Sequence, residues 1–437
     1  MSAAKAGSDS LEALIAGRWR DPDDGAPVAV PVRAVAIERT LAGTERERIA
    51  ALGLGPRLAV VSDARTRAVL GERVERALGG PGRIIPVVLD GVPHADATTA
   101  ESVRRACAAA DALVAVGSGT INDLCKHAAA TDRKPYVAFA TAPSMNGYTS
   151  VNAAITVDGH KLTLPAAAPV AVFVDLEVLA AAPARMIRAG LGDSLCRATA
   201  QADWLLSHLA LGTPYRRAPF ALLEGDEAVL LDEPEALVAG DPTAMRALAR
   251  TLLLSGLGMT ICGGSYPASQ GEHLISHCID MFAPPQRSLV LHGEQVGVAT
   301  LTMARLQEEM LAGEAPRLRA PEVTAEALAE RFGAAIGTSC WAQFAKKPIT
   351  VEAVAAVERR LRQSWDDVVP AVRAVCLPAA RIERVLRRAG CPVNPEDIDV
   401  TPAFYAEAVR NARFLRDRYT FLDLADDAGR LARHFST

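Results

Sequence analysis

Short apolar runs alternate with helical patterns between residues 57 and 174, and this alternation limits the possible fold more than any other feature of the sequence. Apolar runs at residues 57–62, 84–89 and 112–116 are separated by stretches of helical periodicity, and further runs follow at 135–140 and 169–174. Strands that alternate with helices form a parallel sheet with helices on both faces. The sequence therefore predicts an α/β fold here, with a hairpin around Asp158-Gly159 as a later addition.

The sequence changes in character beyond Pro183. Strand patterns nearly disappear there, and helical periodicity rich in Leu, Ala and Arg continues towards the C-terminus. We therefore predict a loosely held lead-in over residues 1–26, an α/β domain over residues 27–184 and an all-helical domain over residues 185–437.

The composition favours a globular protein that acts on small molecules. The chain of 437 residues has a formal net charge of −4, and it contains no run of five basic residues that would favour nucleic acid or an anionic membrane. Its eight cysteines are scattered without a CxxC pair, which is typical of reduced thiols rather than disulfides. No apolar stretch is long enough to span a membrane, and the N-terminus lacks a signal-peptide pattern. We therefore expect a cytoplasmic protein.

A glycine-rich turn follows the third apolar run. The residues Gly117-Ser118-Gly119-Thr120 lead from a strand into a helix, where backbone N–H groups can approach a pyrophosphate. This pattern is not the GxGxxG dinucleotide fingerprint, and a tight turn without a ligand is the alternative interpretation. Asp63 ends an earlier strand, where an acidic residue can bind a ribose hydroxyl, although the same residue can simply cap the next helix.

Histidines and one aspartate form a candidate metal site. His273 and His277 lie four residues apart in a helical stretch, so their side chains project from one face, and His292 follows closely in the chain. Asp193 follows a glycine-rich segment. One carboxylate and two imidazoles would leave a divalent ion one position for water or substrate, as in catalytic sites. The pattern is not HExxH, so a metalloprotease would lack its general base, and histidines that serve only the core are the alternative.

Several motifs together resemble one enzyme family. They are Val116 to Asp123 with Lys126, Thr141 to Gly147, Ala189 to Asp193, Ala202 to Trp204, Ser265 to His273 with His277, and Leu291 to Gly297. Their order is similar to that in glycerol-1-phosphate dehydrogenases, and the similarity is closest to the bacterial branch. That family belongs to the dehydroquinate synthase-like superfamily, together with iron-containing alcohol dehydrogenases and glycerol dehydrogenases. The resemblance implies the fold of that superfamily for roughly residues 27 to 420.

The resemblance also implies roles for individual residues. Asp193, His273 and His292 would bind one divalent metal, for which zinc is expected and nickel or iron are alternatives. His277 would lie beside the substrate and relay a proton, so that His277 and Asp193 are the expected catalytic residues. NAD or NADP would bind in the first domain, at Asp63, Gly117, Ser118, Gly119, Thr120, Asp123, Thr141 and Ser144. Asn146 would contact the substrate, and Lys161 and Arg197 are our candidates for the cation that a phosphorylated substrate requires.

The implied activity is the interconversion of dihydroxyacetone phosphate and sn-glycerol 1-phosphate by a metal-dependent, NAD(P)-linked enzyme, expected to be a homo-oligomer of two or more subunits. Two departures from the family pattern leave another small polyol, phosphate or phosphonate substrate as an alternative. Asn146 replaces the usual aspartate, and Tyr266 stands where the bacterial pattern has an arginine. A dehydroquinate synthase-like cyclase is a further alternative, but such cyclases carry a glutamate where this chain has Asp193. A binding protein without catalytic activity is the last alternative, and the intact ligand set argues against it.

Overall fold

A parallel six-stranded sheet forms the centre of the first of two compact units. The computed structural model describes residues 10–79, 82–157, 159–283 and 290–434. The strands are β1 (Ala34–Glu38), β2 (Leu58–Asp63), β3 (Ile84–Leu89), β4 (Ala112–Gly117), β5 (Tyr136–Ala140), β6 (Asn152–Val157), β7 (His160–Pro165) and β8 (Ala171–Asp175). Six of them pair in parallel in the order β1-β8-β5-β4-β2-β3, and β6 and β7 form a separate antiparallel hairpin.

Helices connect the strands as the alternation predicts. They are α1 (Glu45–Ala50), α2 (Ala64–Thr66), a π-helical segment (Arg67–Gly71), α3 (Glu72–Leu78), α4 (Ala97–Ala106), α5 (Gly119–Asp132) and α6 (Leu176–Ala180). The alternation of apolar residues from Pro27 to Ile37 also predicts a strand, but the strand in the structure is shorter and begins at Ala34. Pro27 and Pro31 explain this difference, because proline has no N–H group to donate to a strand ladder.

The central strands are apolar throughout because both faces of the sheet are covered. All residues of β4, β5 and β8 are buried, as a parallel sheet between two layers of helices requires. Across neighbouring strands, the rings of Phe139 and Phe173 lie 4.9 Å apart between centroids. The carboxyl ends of these strands lie at one edge, where ligands bind in open α/β sheets.

Helices alone follow Pro183 in the part of the chain that the structure describes. They are α7 (Ala184–Leu211), α8 (Ala218–Ala221), α9 (Glu224–Asp232), α10 (Pro234–Val238), α11 (Pro242–Ile261), α12 (Gly271–Phe282), α13 (His292–Leu311), α14 (Ala325–Phe332), α15 (Ala334–Phe344), α16 (Val351–Arg373), α17 (Ala379–Arg388), a 3-10 helix (Pro395–Ile398), α18 (Pro402–Ala412), α19 (Phe421–Asp427) and α20 (Leu431–His434). The predicted fold class, an α/β part followed by a helical part, is confirmed.

Contacts between residues divide the chain into two compact units. The first contains the residues up to Ser194 together with Arg217–Ser265, and the second contains Leu195–Arg216 together with the residues from Tyr266 onwards. The helices from α8 to α11 therefore cluster with the sheet rather than with the later helices. The predicted domain limits stay a prediction.

The helical unit has its own core and a buried ion-pair cluster. Arg413 is almost fully buried and pairs with Asp423 at 3.1 Å and with Asp427 at 2.8 Å. Lys347 also contacts Asp423, at 2.9 Å. Arg413 also pairs with Asp426. Two cations and three carboxylates thus compensate each other and hold α19 to the rest of the unit.

In the lead-in, Leu11 and Leu14 are buried, so part of this segment packs against the protein. Among the helices of the described residues, none is both long enough and apolar enough to cross a membrane.

Candidate metal and cofactor site

Two glycines shape the turn between β4 and α5. A Cβ atom at Gly117 would lie 2.5 Å from Cβ of Ile121, and one at Gly119 would lie 3.2 Å from Cγ of Met145. Ser118 is the N-cap residue of α5 but makes no side-chain capping bond. The first N–H groups of a helix have no partner within it, and with Thr120 in the first turn they can bind an anionic group. The turn therefore fits a pyrophosphate.

Asp63 caps the helix that follows β2. Its Oδ1 accepts hydrogen bonds from the backbone N–H groups of Arg65 and Thr66, both at 2.8 Å. The structure therefore shows Asp63 as the N-cap residue of α2, which is the alternative to ribose binding that the sequence left open. Because β2 and β4 are parallel neighbours, Asp63 and Gly117 lie at the same edge of the sheet. Its contact with an adenosine ribose stays a prediction.

The loop after β5 folds back onto the glycine-rich turn. The Thr141 N–H donates to the carbonyl of Gly117 at 3.2 Å, and the Tyr148 hydroxyl donates to the Ala142 carbonyl at 2.8 Å. Thr141 is buried, whereas Ser144 is half-buried. Both predicted cofactor residues thus belong to a loop that is fixed next to the turn.

Lys126 and Asp123 brace this region rather than face solvent. The Lys126 ammonium, fully buried, donates to the carbonyls of Gly147 at 2.5 Å and Asn152 at 2.9 Å and to the Ser150 hydroxyl at 3.0 Å. Burial lowers the pKa of Lys126 to about 8, and burial likewise raises the pKa of Asp123. Asp123 accepts from the N–H of Ala154 at 3.2 Å. Its present partners are therefore structural, and its contact with a cofactor stays a prediction.

Asp193 lies in α7, against the loop that carries Asn146. Asp193 is fully buried, and its Oδ2 accepts a hydrogen bond from the Asn146 backbone N–H at 2.7 Å. A Cβ atom at Gly190 would lie 1.6 Å from the Pro143 carbonyl oxygen, so only glycine permits this approach. The Asn146 side chain is 8% exposed, and its Nδ2 has no hydrogen-bond partner within the described residues. A buried amide without a partner is suited to a substrate hydroxyl.

The three histidines come together in the helical unit. The ring centroid of His273 lies 5.1 Å from that of His292 and 6.1 Å from that of His277, and the rings of His277 and His292 are 5.8 Å apart. His273 and His277 share one face of α12, and His292 is the first residue of α13. The sequence prediction that these histidines share one site agrees with this geometry.

A carboxylate fixes the orientation of the His273 ring. Glu272 is fully buried, and its Oε1 lies 2.9 Å from Nδ1 of His273 and accepts from the Gln270 N–H at 2.8 Å. The Thr199 hydroxyl donates to Oε2 of Glu272 at 3.1 Å. An ionised carboxylate only accepts hydrogen bonds, so Nδ1 of His273 must carry the proton. The lone pair of this ring is then on Nε2, the atom that a metal would bind.

A polar chain sets the tautomer of His292 in the same way. The Asp280 carboxylate accepts from Nε2 of Gln295 at 2.7 Å, which turns Oε1 of Gln295 towards Ser276. The Ser276 hydroxyl donates to that oxygen at 2.9 Å, so it can only accept from Nδ1 of His292, 3.2 Å away. The lone pair of His292 is therefore also on Nε2. Glu272, Ser276 and Gln295 were not predicted as functional residues, although each lies within three residues of a predicted ligand.

Cys196 is another residue that the sequence did not single out. Its Sγ lies within 4.8 Å of a ring nitrogen of His273, and it follows Asp193 by three residues, on the same face of α7. The thiol donates to the Ala268 carbonyl at 3.6 Å. This contact suits a protonated thiol, whereas a metal would bind the thiolate.

The two predicted phosphate-binding cations lie in different units. Lys161 is a half-buried residue of β7, opposite Thr156 in the hairpin. Arg197 lies in α7 and donates to Oε1 of Gln201 at 3.0 Å. The role of both residues in binding substrate stays a prediction.

Known proteins are similar to this chain over most of its length. The family model of iron-containing alcohol dehydrogenases matches residues 36–183. The glycerol-1-phosphate dehydrogenase [NAD(P)+] of Bacillus licheniformis is 31% identical over 379 residues, which cover 85% of this chain and 83% of that protein. Among solved structures, a probable glycerol dehydrogenase from Sinorhizobium meliloti has a TM-score of 0.60 at 20% identity, and it covers 92% of this chain and 97% of its own. The glycerol dehydrogenase of Schizosaccharomyces pombe has a TM-score of 0.61 at 16% identity, with 92% and 90% covered.

The structural neighbours confirm the dehydroquinate synthase-like fold, and the sequence relatives identify the family. A family of NAD(P)-linked, metal-dependent alcohol dehydrogenases agrees with the glycine-rich turn at the sheet edge and with the oriented histidines. The chain belongs to the glycerol-1-phosphate dehydrogenase family of oxidoreductases.

Proposed function

We propose that this protein reduces dihydroxyacetone phosphate to sn-glycerol 1-phosphate with NADH or NADPH, and that it catalyses the reverse oxidation. The observation that carries the metal-dependent part of this proposal is the pair of oriented rings. Glu272 and Ser276 engage Nδ1 of His273 and of His292, so that both Nε2 atoms carry lone pairs. The names of the sequence relatives support the choice of substrate.

The donor set is suited to one divalent ion held by Asp193, His273 and His292. Two imidazoles with defined tautomers and one buried carboxylate are ligands that zinc accepts, and zinc is the ion that we propose, although nickel and iron accept the same set. When bound, such an ion would act as a Lewis acid on the substrate carbonyl, and the nicotinamide would supply the hydride.

The residues of the chain bind, orient and supply the proton. The turn from Gly117 to Thr120 would hold the pyrophosphate of the nucleotide, with Thr141 and Ser144 in the adjoining loop. Asn146 would donate from Nδ2 to a substrate oxygen, since this amide has no other partner among the described residues. Reduction consumes one proton, which a ring nitrogen of His277 would deliver to the product oxygen, and the oxidation would return it.

The reaction itself is tested with metal-free protein that is reloaded with Zn²⁺, Ni²⁺ or Fe²⁺. We expect consumption of reduced nicotinamide with dihydroxyacetone phosphate, and a product that an sn-glycerol 3-phosphate dehydrogenase does not oxidise. Dihydroxyacetone and short phosphonate ketones test the alternative substrates. The proposal fails if no carbonyl consumes reduced nicotinamide with any metal.

The ligand set is tested separately with His273→Ala. We expect this variant to lose both bound metal and activity, whereas stoichiometric metal in the variant would contradict the ligand assignment. A matched control is His127→Ala, which changes a histidine of α5 in the sheet unit.

We further propose a cytoplasmic location and a homo-oligomeric state of two or more subunits. None of the eight cysteines forms a disulfide, and all eight lie in the described ranges, which supports a reducing compartment. Light scattering coupled to size-exclusion chromatography measures the oligomeric state.

A further inference from the structure

We propose that Arg418 binds the anionic phosphate of the substrate, which makes it the residue that selects a phosphorylated over an uncharged substrate. This inference rests on the proposed function, because it assigns the recognition of the phosphate at the same site. It identifies a cation in a segment near the C-terminus that neither the motifs nor the candidates Lys161 and Arg197 pointed to.

The guanidinium of Arg418 lies against the segment that leads into the metal-binding helix. Its Cζ atom is 4.8 Å from the ring centroid of Tyr266, and it donates a hydrogen bond to the Ser269 carbonyl. Helix α12, which carries His273 and His277, begins two residues after Ser269. Tyr266 itself is uncharged, so Arg418 supplies a positive charge at this position.

The buried carboxyl group of Asp203 ties the segment of Arg418 to the start of α12. Oδ2 of Asp203 accepts from the Gly271 N–H at 3.0 Å, and Oδ1 accepts from the Phe421 N–H, also at 3.0 Å. The first residues of α12 and α19 are therefore joined through a single side chain. Because Arg418 precedes Phe421 by three residues, its distance from the start of the histidine helix is fixed by this link.

Aromatic side chains hold the guanidinium in a defined orientation. The rings of Trp204 and Tyr266 stack with centroids 6.0 Å apart at 22°, and Tyr215 packs edge-on against Trp204 at 5.2 Å. Gln270 donates to the Tyr266 carbonyl at 2.8 Å. A planar guanidinium over a fixed ring presents its N–H groups in a rigid fork, which matches the oxygens of a phosphate better than an ammonium does.

The electrostatics of this position favour an arriving anion. Burial lowers the pKa of Arg418 to about 10, and the positive charge of Arg416 lowers it as well, whereas Tyr266, Asp417 and Glu272 raise it, so the guanidinium keeps its charge at neutral pH. A phosphate would provide negative charge beside it. Tyr266 is 41% exposed, so the ring beside which Arg418 lies is at the surface of the protein.

The test compares Arg418→Gln and Arg418→Lys with the control Arg410→Gln, an exposed arginine of α18. Because hydrogen bonds to charged groups are strong, we expect Arg418→Gln to raise KM for dihydroxyacetone phosphate by about ten- to hundredfold. KM for dihydroxyacetone, which has no phosphate, should change little in the same variant. Arg418→Lys should lie between Arg418→Gln and the unchanged protein, and Arg410→Gln should match the unchanged protein.

A role limited to bracing the loop makes a different prediction. It would raise KM for both carbonyls alike, or lower the metal content, and either result overturns the proposal.

Isothermal titration with inorganic phosphate gives an answer that does not depend on turnover. The proposal is supported if inorganic phosphate binds to the unchanged protein and binds more weakly to Arg418→Gln, even if dihydroxyacetone phosphate is not a substrate. The proposal is refuted if inorganic phosphate does not bind to the unchanged protein. If Arg418→Gln does not fold, Tyr266→Leu, which removes the ring beneath the guanidinium, is expected to weaken phosphate binding in the same assay, and unchanged binding would refute the proposal.

Discussion

The hydrogen bond between Glu272 and His273 can be tested by a nearly isosteric substitution, Glu272→Gln. The carboxylate accepts from Gln270, His273 and Thr199, at 2.8, 2.9 and 3.1 Å. A glutamine oxygen can still accept the first two of these bonds. The glutamine NH₂ group would face the Thr199 hydroxyl and donate to its oxygen. The Thr199 hydroxyl can accept this bond, because it can donate its own proton to the Cys196 carbonyl, 3.0 Å away. The substitution therefore removes charge and leaves the hydrogen bonds in place.

The expected loss follows from the change of a charged hydrogen bond to a neutral one. Bonds to charged groups contribute about 1.5–3 kcal/mol and neutral ones about 0.5–1.5 kcal/mol, so the variant loses roughly 1–1.5 kcal/mol at His273. Since each 1.4 kcal/mol is tenfold, metal affinity should fall about tenfold, at the lower end of the range known for residues that orient metal-binding histidines.

The assay is competition for Zn²⁺ between the protein and a fluorescent chelator at fixed pH, with the unfolding temperature of the metal-free protein as a check on structure. Glu383→Gln, in α17, serves as the control because its ion pairs involve Arg305 and Arg387 on the surface. Unchanged metal affinity in Glu272→Gln would refute the argument about the tautomer. Complete loss of metal from a folded variant would instead make Glu272 a ligand itself.

Four further changes test other parts of the structure. Cys196→Ala should keep stoichiometric metal, because the thiol donates to the Ala268 carbonyl, and loss of metal would make Cys196 a ligand. Asn146→Ala should raise KM for the carbonyl substrate without changing metal content, and an unchanged KM would remove this residue from the substrate site. Burial and the charge of Glu272 raise the pKa of Asp203 from 3.8 to about 8, so its proton stabilises the folded protein at low pH and this stability is lost as pH rises through about 8. The unfolding temperature of metal-free protein should therefore fall as the pH is raised from about 4 to about 8, and it should fall less steeply in Asp203→Asn. Equal dependence of the unfolding temperature on pH in the two proteins would contradict this. Lys126→Met removes the three hydrogen bonds of the buried ammonium and should lower the free energy of unfolding by roughly 3 kcal/mol in urea, whereas a loss near zero would show that water replaces the ammonium.

The central strands could be predicted from the sequence because they are buried on both faces. The runs predicted at 112–116 and 135–140 correspond to Ala112–Gly117 and Tyr136–Ala140. Such strands are continuously apolar and are bounded by polar turns, so the sequence marks both ends. The edge strand β1 was predicted too long, because the alternation of Val28, Val30 and Val32 resembles a strand that two prolines prevent from pairing.

The candidate site was predictable only where its residues are close in sequence. The spacing of His273 and His277 places them on one helix face, and His292 follows within the same unit. Glu272 is adjacent to His273, but glutamate is common in the first turn of any helix because it interacts favourably with the helix dipole. Its role in orienting His273 is visible only from its burial and from its contact with Thr199, which are known only from the folded structure. Arg418 is 152 positions from Tyr266 in the numbering, and only the folded chain brings these two side chains together.

Gly190 has a consequence for comparing sequences of this kind. Even a methyl group there would occupy the place of the Pro143 carbonyl, so any related chain with another residue at this position must carry the intervening loop elsewhere. Such a chain would lose the backbone amide contact to the residue that corresponds to Asp193, even if all the proposed ligands were retained. A glycine at this position therefore indicates that the loop packs against α7 as it does here. A survey of homologues that compares only the proposed ligands would miss proteins in which the loop has moved away.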